Sequence, residues 1–338
     1  MNPSSHAKNS TDRTTWPAVS VVMPVLNEQR HLADAVGAIL AQDYPGELEV
    51  VLALGPSRDR TQEIAEKLAA DDPRVIIVSN PSGRTPQGLN IAVKASQYSI
   101  VVRVDGHSLL PPDYIRVAVE TMEETGADNV GGIMAAEGVT PFEKAVARAM
   151  TSKIGVGSAP FHVGGGEGEV ETVYLGTFRR SALDRVGGYD ETFVRAQDWE
   201  MNHRIRQSGG KIWFTPRMRV TYRPRPHLRA LARQYFITGR WRRVVGREHQ
   251  GTLNLRYLAP PLAVLGMGAG IIAGTIGFWP GWLLPGGYAV AMIAGAGMTG
   301  RGLPISAWVR LPLVYATMHV SWGLGFLTSP PGLGQSRP

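Results

Sequence analysis

Three short segments carry side chains that can do chemistry. Asp105 and His107 stand in DGH, directly after the apolar run SIVVRV (99–104). A carboxylate with a second ligand two residues on can hold a divalent cation. Such a cation bridges a diphosphate and neutralises a leaving group. The same spacing equally suits a turn-capping Asp and a loop histidine satisfied by its neighbours. Asp198 and Glu200 stand in QDWE (197–200), after Gly187-Gly188-Tyr189-Asp190 and at the start of a helical pattern. A carboxylate there can take a proton from a hydroxyl, a step typically worth ~10²–10⁴-fold. Acids in a first helical turn also answer the helix dipole with no catalytic role. The third segment, PVLNE (24–28), puts Asn27 and Glu28 just past a β-branched run.

The elements that must position these residues alternate along the chain. VSVVM (19–23), LEVVLAL (48–54), VIIV (75–78) and SIVVRV (99–104) read as strands. Helical spacing fills 28–41, 61–70, 86–96 (opened by Pro86) and 111–125. Such alternation implies crossovers and a mostly parallel sheet, whose ligands bind beyond the carboxyl ends of the strands. That rule gathers Asn27, Glu28, Asp105 and His107 along one edge. After residue 135 the pattern loosens. VYLGTFRR (173–180) reads as a strand entering a basic turn, and Asp198 to Gln207 as a helix. GGGEGE (164–169) reads as a mobile loop and lacks the Lys-Ser/Thr of a phosphate loop. No GxSxG and no Ser-His-Asp order is present, which counts against hydrolases.

Charge divides the 338 residues more sharply than composition does. Between Lys211 and Arg256 there are 12 Lys or Arg against one acid, Glu248, a local charge of +11 in a chain of +7. The remainder therefore sums to −4. From Tyr257 to Thr328 the charges are two, Arg301 and Arg310. Tyr257–Phe278 and Leu283–Thr299 read as spans joined by Trp279-Pro280-Gly281-Trp282, and Leu311–Leu327 as a third, shorter segment that spans or lies in the interface. Basic residues just before a span mark the cytoplasmic face and attract anionic lipid, which favours a membrane surface over nucleic acid as their partner. The absence of Cys excludes a disulfide scaffold, a Cys zinc site and a Cys nucleophile. Met1 to Thr15 is polar with no apolar run, so the N-terminal part is expected to stay in the cytosol. The expected organisation is a disordered leader (1–17), a catalytic domain (18–222), basic juxtamembrane helices (223–256), two or three membrane helices (257–328) and a tail (329–338).

Taken together, these residues resemble the family 2 glycosyltransferases of GT-A fold. Within that family they resemble the membrane-anchored enzymes of bacterial exopolysaccharide and cell-envelope synthesis. The resemblance runs from about Val19 to about Arg243. It is carried by VSVVMPVLNE, by NPSGRTPQGLNIAVKAS (80–96) with IVVRVDGH, by VYLGTFRRSALDRVGGYDETF (173–193), by QDWEMNHRIRQSGG and by QYFITGRWRR (234–243). The fold it implies is a Rossmann-like, mostly parallel sheet with flanking helices, followed here by transmembrane helices. Three departures stand out. Leu54-Gly55-Pro56-Ser57 occupies the place where acids usually end the second strand. The metal motif DxD reads DxH. Five residues separate Gln234 from Arg240, so the QxxRW of processive synthases is unmatched.

The resemblance implies roles residue by residue. Pro24, Asn27 and Glu28 would line the nucleotide pocket, with Asn90 near the donor diphosphate. Asp105 would serve donor and metal, and His107 the metal, taken as Mn²⁺ or Mg²⁺. Asp198 would be the base, and Arg240 and Trp241 would close from the membrane side. The implied activity is inverting transfer of a sugar from a nucleotide sugar, UDP-linked, to a lipid-linked acceptor. The implied place is the cytoplasmic membrane, multi-pass, with the catalytic part facing the cytosol. Two other readings keep parts of this picture: transfer to polyprenyl phosphate itself, and a non-catalytic membrane-bound nucleotide-sugar binder.

Overall fold

The computed structural model describes residues 15–335. The expected leader up to residue 14 and the last three residues of the tail lie outside the described residues. Strands β1 (Val19–Val25), β2 (Leu48–Leu54), β3 (Val75–Ser79) and β4 (Ile100–Arg103) pair in parallel in the order β3-β2-β1-β4. Helices α1 (Leu32–Leu40), α2 (Thr61–Asp71) and α3 (Thr85–Ala95) make the crossovers, and α4 (Tyr114–Thr125) follows β4. A parallel sheet covered on both faces reads as near-continuous apolar runs. Accordingly Val21, Met23, Val50 and Leu52 pack into one core, and Val22, Val51 and Val101 into another. Trp16, at the end of the expected leader, packs edge-on against Tyr44.

The second half of the domain widens the sheet. It contains β5 (Asn129–Ala136), α5 (Pro141–Met150), α6 (Lys153–Val156), α7 (Pro160–Val163), β6 (Gly168–Glu169), β7 (Tyr174–Arg179), α8 (Arg180–Val186), α9 (Gln197–Gln207) and β8 (Ile212–Tyr222). The full order is β3-β2-β1-β4-β7-β5-β8-β6. β7 slots in antiparallel between β4 and β5, β6 is antiparallel to β8, and the remaining pairs are parallel. The sheet is thus mostly parallel, as expected. The sequence reading did not find β5 and β8. Gly131-Gly132 interrupts one and Pro216 with two arginines the other. Gly132 is needed there, because a Cβ would strike the Met218 backbone where the pairing bulges. GGGEGE is partly ordered, because Gly168–Glu169 forms β6.

The tail consists of α10 (Leu228–Glu248), α11 (Leu255–Thr275), a 3₁₀ turn (Trp279–Trp282), α12 (Leu283–Thr299), α13 (Ile305–Trp308) and α14 (Leu311–Leu327). Among the described residues, α11 alone is long and apolar enough to cross a bilayer by length and composition. Helices α12 and α14 have 17 residues each. The tail is fastened to the catalytic domain. The Tyr315 hydroxyl lies 2.9 Å from Ser152 Oγ and 2.8 Å from Thr299 Oγ1. Arg148 donates to the carbonyls of Thr299 and Arg301. Helix α14 runs along α10 in the same direction, since Phe236 meets Gly325 and the Arg240 carbonyl accepts from Ser329 Oγ at 3.0 Å. A Cβ at Gly239 would overlap the Trp322 carbonyl, and one at Gly325 would overlap that of Phe236.

This glycine-mediated contact generates a prediction. Gly239→Leu should force α10 and α14 apart and lower the unfolding temperature in detergent. The expected cost is about 1–3 kcal/mol, as for other overpacked sites. Gly266→Leu on α11, where nothing lies within 4 Å, is the control and should leave it nearly unchanged.

Candidate active site

Arg103, the last residue of β4, is the centre of the site. Its side chain is 4% exposed. Nη2 lies 3.0 Å from Asp105 Oδ1, and Nη1 pairs with Asp198 Oδ1. Burial works against the guanidinium's charge, but Asp105 and the surrounding Tyr189 and Tyr174 outweigh it and raise the pKa. One cation thereby brings together two carboxylates from distant parts of the chain.

Asp198 reaches this point because α9 is held firmly. Ala196, just before the helix, adopts a left-handed conformation with φ of 61° and turns the chain into α9. Glu200 points elsewhere than Asp198, since positions two apart on a helix do not share a face. Its buried carboxylate takes Arg204 in a two-point pair, with both contacts at 2.6 Å. Arg204 also donates to the carbonyls of Val186 (2.5 Å) and Gly188 (2.9 Å). The two acids of QDWE therefore have separate tasks. Asp198, 26% exposed, faces the site, while Glu200 clamps α9 to the Gly187-Gly188 turn.

Asn90 supports the same turn. Its Nδ2 donates to the Tyr189 carbonyl at 2.8 Å, and its Oδ1 accepts the Tyr189 N–H at 2.8 Å. Asn90 also donates to Glu191 Oε1 at 3.1 Å. Its amide is thus engaged one layer behind Arg103, where it holds Tyr189 in place.

The other side of the site is the β1 exit. His107 Nδ1 lies 2.8 Å from Glu28 Oε1. That hydrogen bond, and then the carboxylate's charge, raise the His107 pKa against the effect of burial. With Nδ1–H directed at Glu28, Nε2 is left for a metal, the arrangement by which a carboxylate orients a ligating imidazole. Gly106 permits this approach, because a Cβ there would lie 2.9 Å from Glu28 Cγ. The Glu28 N–H donates to Thr61 Oγ1 (2.7 Å) and the Asn27 N–H to Ser57 Oγ (2.9 Å). Asn27 Oδ1 accepts from the Arg58 N–H at 2.8 Å. Asn27 has φ of 57°, a conformation that Asn tolerates better than most residues. Pro24 pairs with Ala53 across the sheet and packs beside Gly88 of α3. Of the expected pocket residues, Asn27 and Glu28 thus shape the turn between β1 and the β2 exit.

No cluster of three or more His, Asp or Glu able to hold a metal occurs among the described residues. The protein instead offers two donors, the Asp105 carboxylate and the His107 imidazole. This pair would suit a Mn²⁺- or Mg²⁺-type ion only with further ligands supplied from outside the chain.

The residues expected on the membrane side, Arg240 and Trp241, stand on α10. The Arg240 guanidinium lies 4.5 Å from the Phe236 ring centroid. Trp241 is buried against Phe193, with ring centroids 6.0 Å apart, and braces the loop that leads to α9. Arg225, which the sequence reading passed over, lies closer to the site. It is near enough to His107 to push its pKa down, and donates to Gln234 Oε1 at 3.1 Å. Gln234 donates to the Tyr222 hydroxyl at 3.0 Å. Arg103 had a visible signal, a charged side chain ending an otherwise apolar strand.

With this geometry established, the comparisons are direct. The profile of glycosyl transferase family 2 matches residues 20–187. The chain is 33% identical over 324 residues to the succinoglycan biosynthesis protein ExoA of Rhizobium meliloti, covering 94% of this chain and 96% of that protein. It is 21% identical over 250 residues to a dolichyl N-acetylglucosaminyl phosphate glycuronosyltransferase of Methanococcus voltae, covering 72% and 77%. Among solved structures it is similar to a mannosyltransferase from Pyrobaculum calidifontis in complex with GDP-Man and Mn²⁺. That match has a TM-score of 0.63 at 19% identity, over 94% and 91% of the two chains. The fold is therefore GT-A, and the chain belongs to the family 2 glycosyltransferases.

The Glu28–His107 pair generates a prediction. Glu28→Gln should weaken Mn²⁺ binding by about 10–100-fold, the usual cost of losing an orienting carboxylate. Loss of the free Mn²⁺ signal in electron paramagnetic resonance, measured with UDP or GDP present, reads it directly.

Proposed function

We infer that this protein is a metal-dependent inverting glycosyltransferase of polysaccharide biosynthesis. It moves a sugar from a UDP-sugar to a lipid-linked acceptor at the cytoplasmic membrane. The observation that carries the reading is the convergence of Asp105 and Asp198 on the two sides of Arg103 at the end of β4. The match to ExoA along nearly the whole chain supports the polysaccharide setting. The Mn²⁺ and nucleotide sugar of the mannosyltransferase, and the UDP-GlcNAc of the similar Staphylococcus aureus TarS (TM-score 0.51, 15% identity, 92% and 90% covered), support the donor class. The lipid-bound acceptor named for the Methanococcus relative supports the acceptor class.

In this mechanism Asp105 and His107 would hold the divalent ion, and that ion would offset charge on the departing nucleotide diphosphate. Asn27 and Glu28 keep the β1 exit in shape for the nucleotide, with Glu28 orienting His107. Asp198 accepts the proton of the acceptor hydroxyl. The freed oxygen pair attacks the anomeric carbon from the face opposite the diphosphate, and the bond to the diphosphate breaks with its electron pair. One inversion results, and one base suffices. Arg225, just before α10, and Gln234 and Arg240 on that helix would face the acceptor's approach.

Asp198→Asn should lower kcat by at least about 10²-fold with donor binding little changed. Excess EDTA should abolish transfer of label from UDP-sugars into extracted lipid. Near-normal kcat in Asp198→Asn would instead favour polyprenyl phosphate, an acceptor that is already an anion. Binding of nucleotide without any turnover would favour the non-catalytic reading.

The way the tail is tied supports one membrane arrangement. Helices α11 and α12 form a hairpin with Trp279 and Trp282 exposed at its tip. Helix α11 reaches roughly 30 Å at about 1.5 Å per residue. The end of α12 is held by Arg148, and the start of α14 by Ser152. The chain after α14 is held by Arg247, which donates to the Pro330 carbonyl at 3.0 Å. The start of α14 is thus tied to the catalytic domain and its end to α10, which supports a reading in which α14 stays on the catalytic side and the α11–α12 hairpin enters the bilayer. The chain lacks Cys, so single cysteines report this cleanly. Gln335→Cys should react with an impermeant maleimide only after cells are broken, and Trp279→Cys in intact cells. Outside labelling of Gln335→Cys would show that α14 crosses.

A further inference from the structure

The reaction described above uses Asp105 and Asp198 but gives no task to Arg103, the buried charge that pairs with both. Buried ion pairs can often be replaced by apolar side chains of similar size without loss of stability, and the three residues before Arg103 on β4 are buried and apolar. What Arg103 supplies is a planar fork that reaches two carboxylates at once, through Nη2 to Asp105 and Nη1 to Asp198. Nε makes no hydrogen bond. Tyr174 and Tyr189 enclose the fork.

Without that guanidinium, two partly exposed carboxylates would face each other across a small gap. A divalent cation arriving at Asp105 would then attract both. An Asp198 drawn into the ion's coordination shell could no longer accept a proton from an acceptor. We propose that Arg103 is a positioning residue that keeps the two carboxylates in separate tasks. It holds Asp198 away from the metal and directed at the acceptor hydroxyl, and it moderates the negative charge that Asp105 presents to the ion. This rests on the reading of Asp105 as metal ligand and Asp198 as base.

The signature is a pair of effects with opposite signs. A residue that merely supports the fold would, when replaced, weaken metal binding and turnover together. Arg103→Met should instead bind Mn²⁺ at least about threefold tighter, because a neighbouring positive charge has gone. Its kcat at saturating Mn²⁺ and donor should fall at least about tenfold, with KM for the donor little changed. Arg103→Lys keeps the charge but not the fork, so its Mn²⁺ affinity should stay near that of the parent while kcat falls. In an Asp198→Asn background, Arg103→Met should cost little further turnover, since both act at one group.

The test uses the full chain purified in detergent. Mn²⁺ is counted by paramagnetic resonance in the presence of UDP, and transfer is measured on the same preparations. Weaker or unchanged Mn²⁺ binding in Arg103→Met overturns the proposal, as does unchanged kcat. A fully multiplicative loss in the double variant overturns it too. If Arg103→Met does not fold, Arg103→Lys decides alone: parental kcat overturns the role of the fork, and reduced kcat with parental Mn²⁺ affinity supports it. Failure of the underlying reading is seen separately. It appears as undiminished Mn²⁺ binding in Asp105→Ala or undiminished kcat in Asp198→Asn, neither of which involves Arg103.

Discussion

A guanidinium buried at the end of a central strand must be met by negative charge, because an uncompensated buried ion costs several kcal/mol. That constraint at Arg103 organises the molecule around it. Asp105 comes from two residues farther along the same chain and needs only a turn. Asp198 comes from the far half of the domain and needs a docked helix. The docking is itself built from a second buried pair, Glu200 with Arg204, which grips the carbonyls of Val186 and Gly188. Asn90 then fixes the backbone of Tyr189 in the same turn, and Tyr189 borders Arg103. Two ion pairs and one amide thus connect α3, β4, the Gly187-Gly188 turn and α9.

Helix α10 extends the connection toward the apolar part of the chain. Its N-terminal half meets the site's rim through Gln234, Tyr222 and Arg225. Its middle packs Trp241 behind the loop that leads to α9. A different face, lined by Gly239, takes α14 at backbone contact. Small residues allow two helix backbones to approach this closely, and dispersion across the contact then holds them together. A shift of the apolar helices must therefore move α10, and with it the rim of the site.

How much of this the sequence disclosed depends on what each element buries. Strands β1 to β4 were legible because both of their faces are covered, so they read as unbroken β-branched runs. The rule that ligands gather at strand ends placed Glu28 beside His107, and the two lie 2.8 Å apart. The limits of α12 and α14 were legible because Trp, Pro and Arg punctuate an otherwise apolar stretch. Strands β5 and β8 were not legible. Gly131-Gly132 and Pro216 break their patterns, and both breaks serve the bulge where the strands meet. The partition of QDWE was half legible. Helical geometry separates Asp198 from Glu200, but only the fold reveals that Arg204 claims Glu200 and Arg103 claims Asp198. Arg103 itself was read as a strand residue, because its meaning lies in a partner remote in sequence.

The +11 stretch shows how a charge count can mislead. Read along the chain, its arginines look like a surface waiting for anionic lipid. In the fold many are spent on the protein itself. Arg217 faces Glu120 and Glu124, Arg223 faces Glu137, and Arg256 faces Glu171. Arg242 lies buried between the rings of Trp199 and Tyr257. Arg243 lies over Phe326, and Arg247 is bound to carbonyls after α14. Arg229 and Arg233 remain exposed at the start of α10. A juxtamembrane cation contributes about 1 kcal/mol of attraction to an anionic leaflet, so in the proposed arrangement these few charges would supply orientation more than anchorage. The exposed Leu, Ile and Trp side chains of α11, α12 and the turn between them present a far larger apolar surface. Many of these arginines are thus taken up in ties within the protein, and in the proposed membrane arrangement the apolar hairpin would be left to hold it to the bilayer.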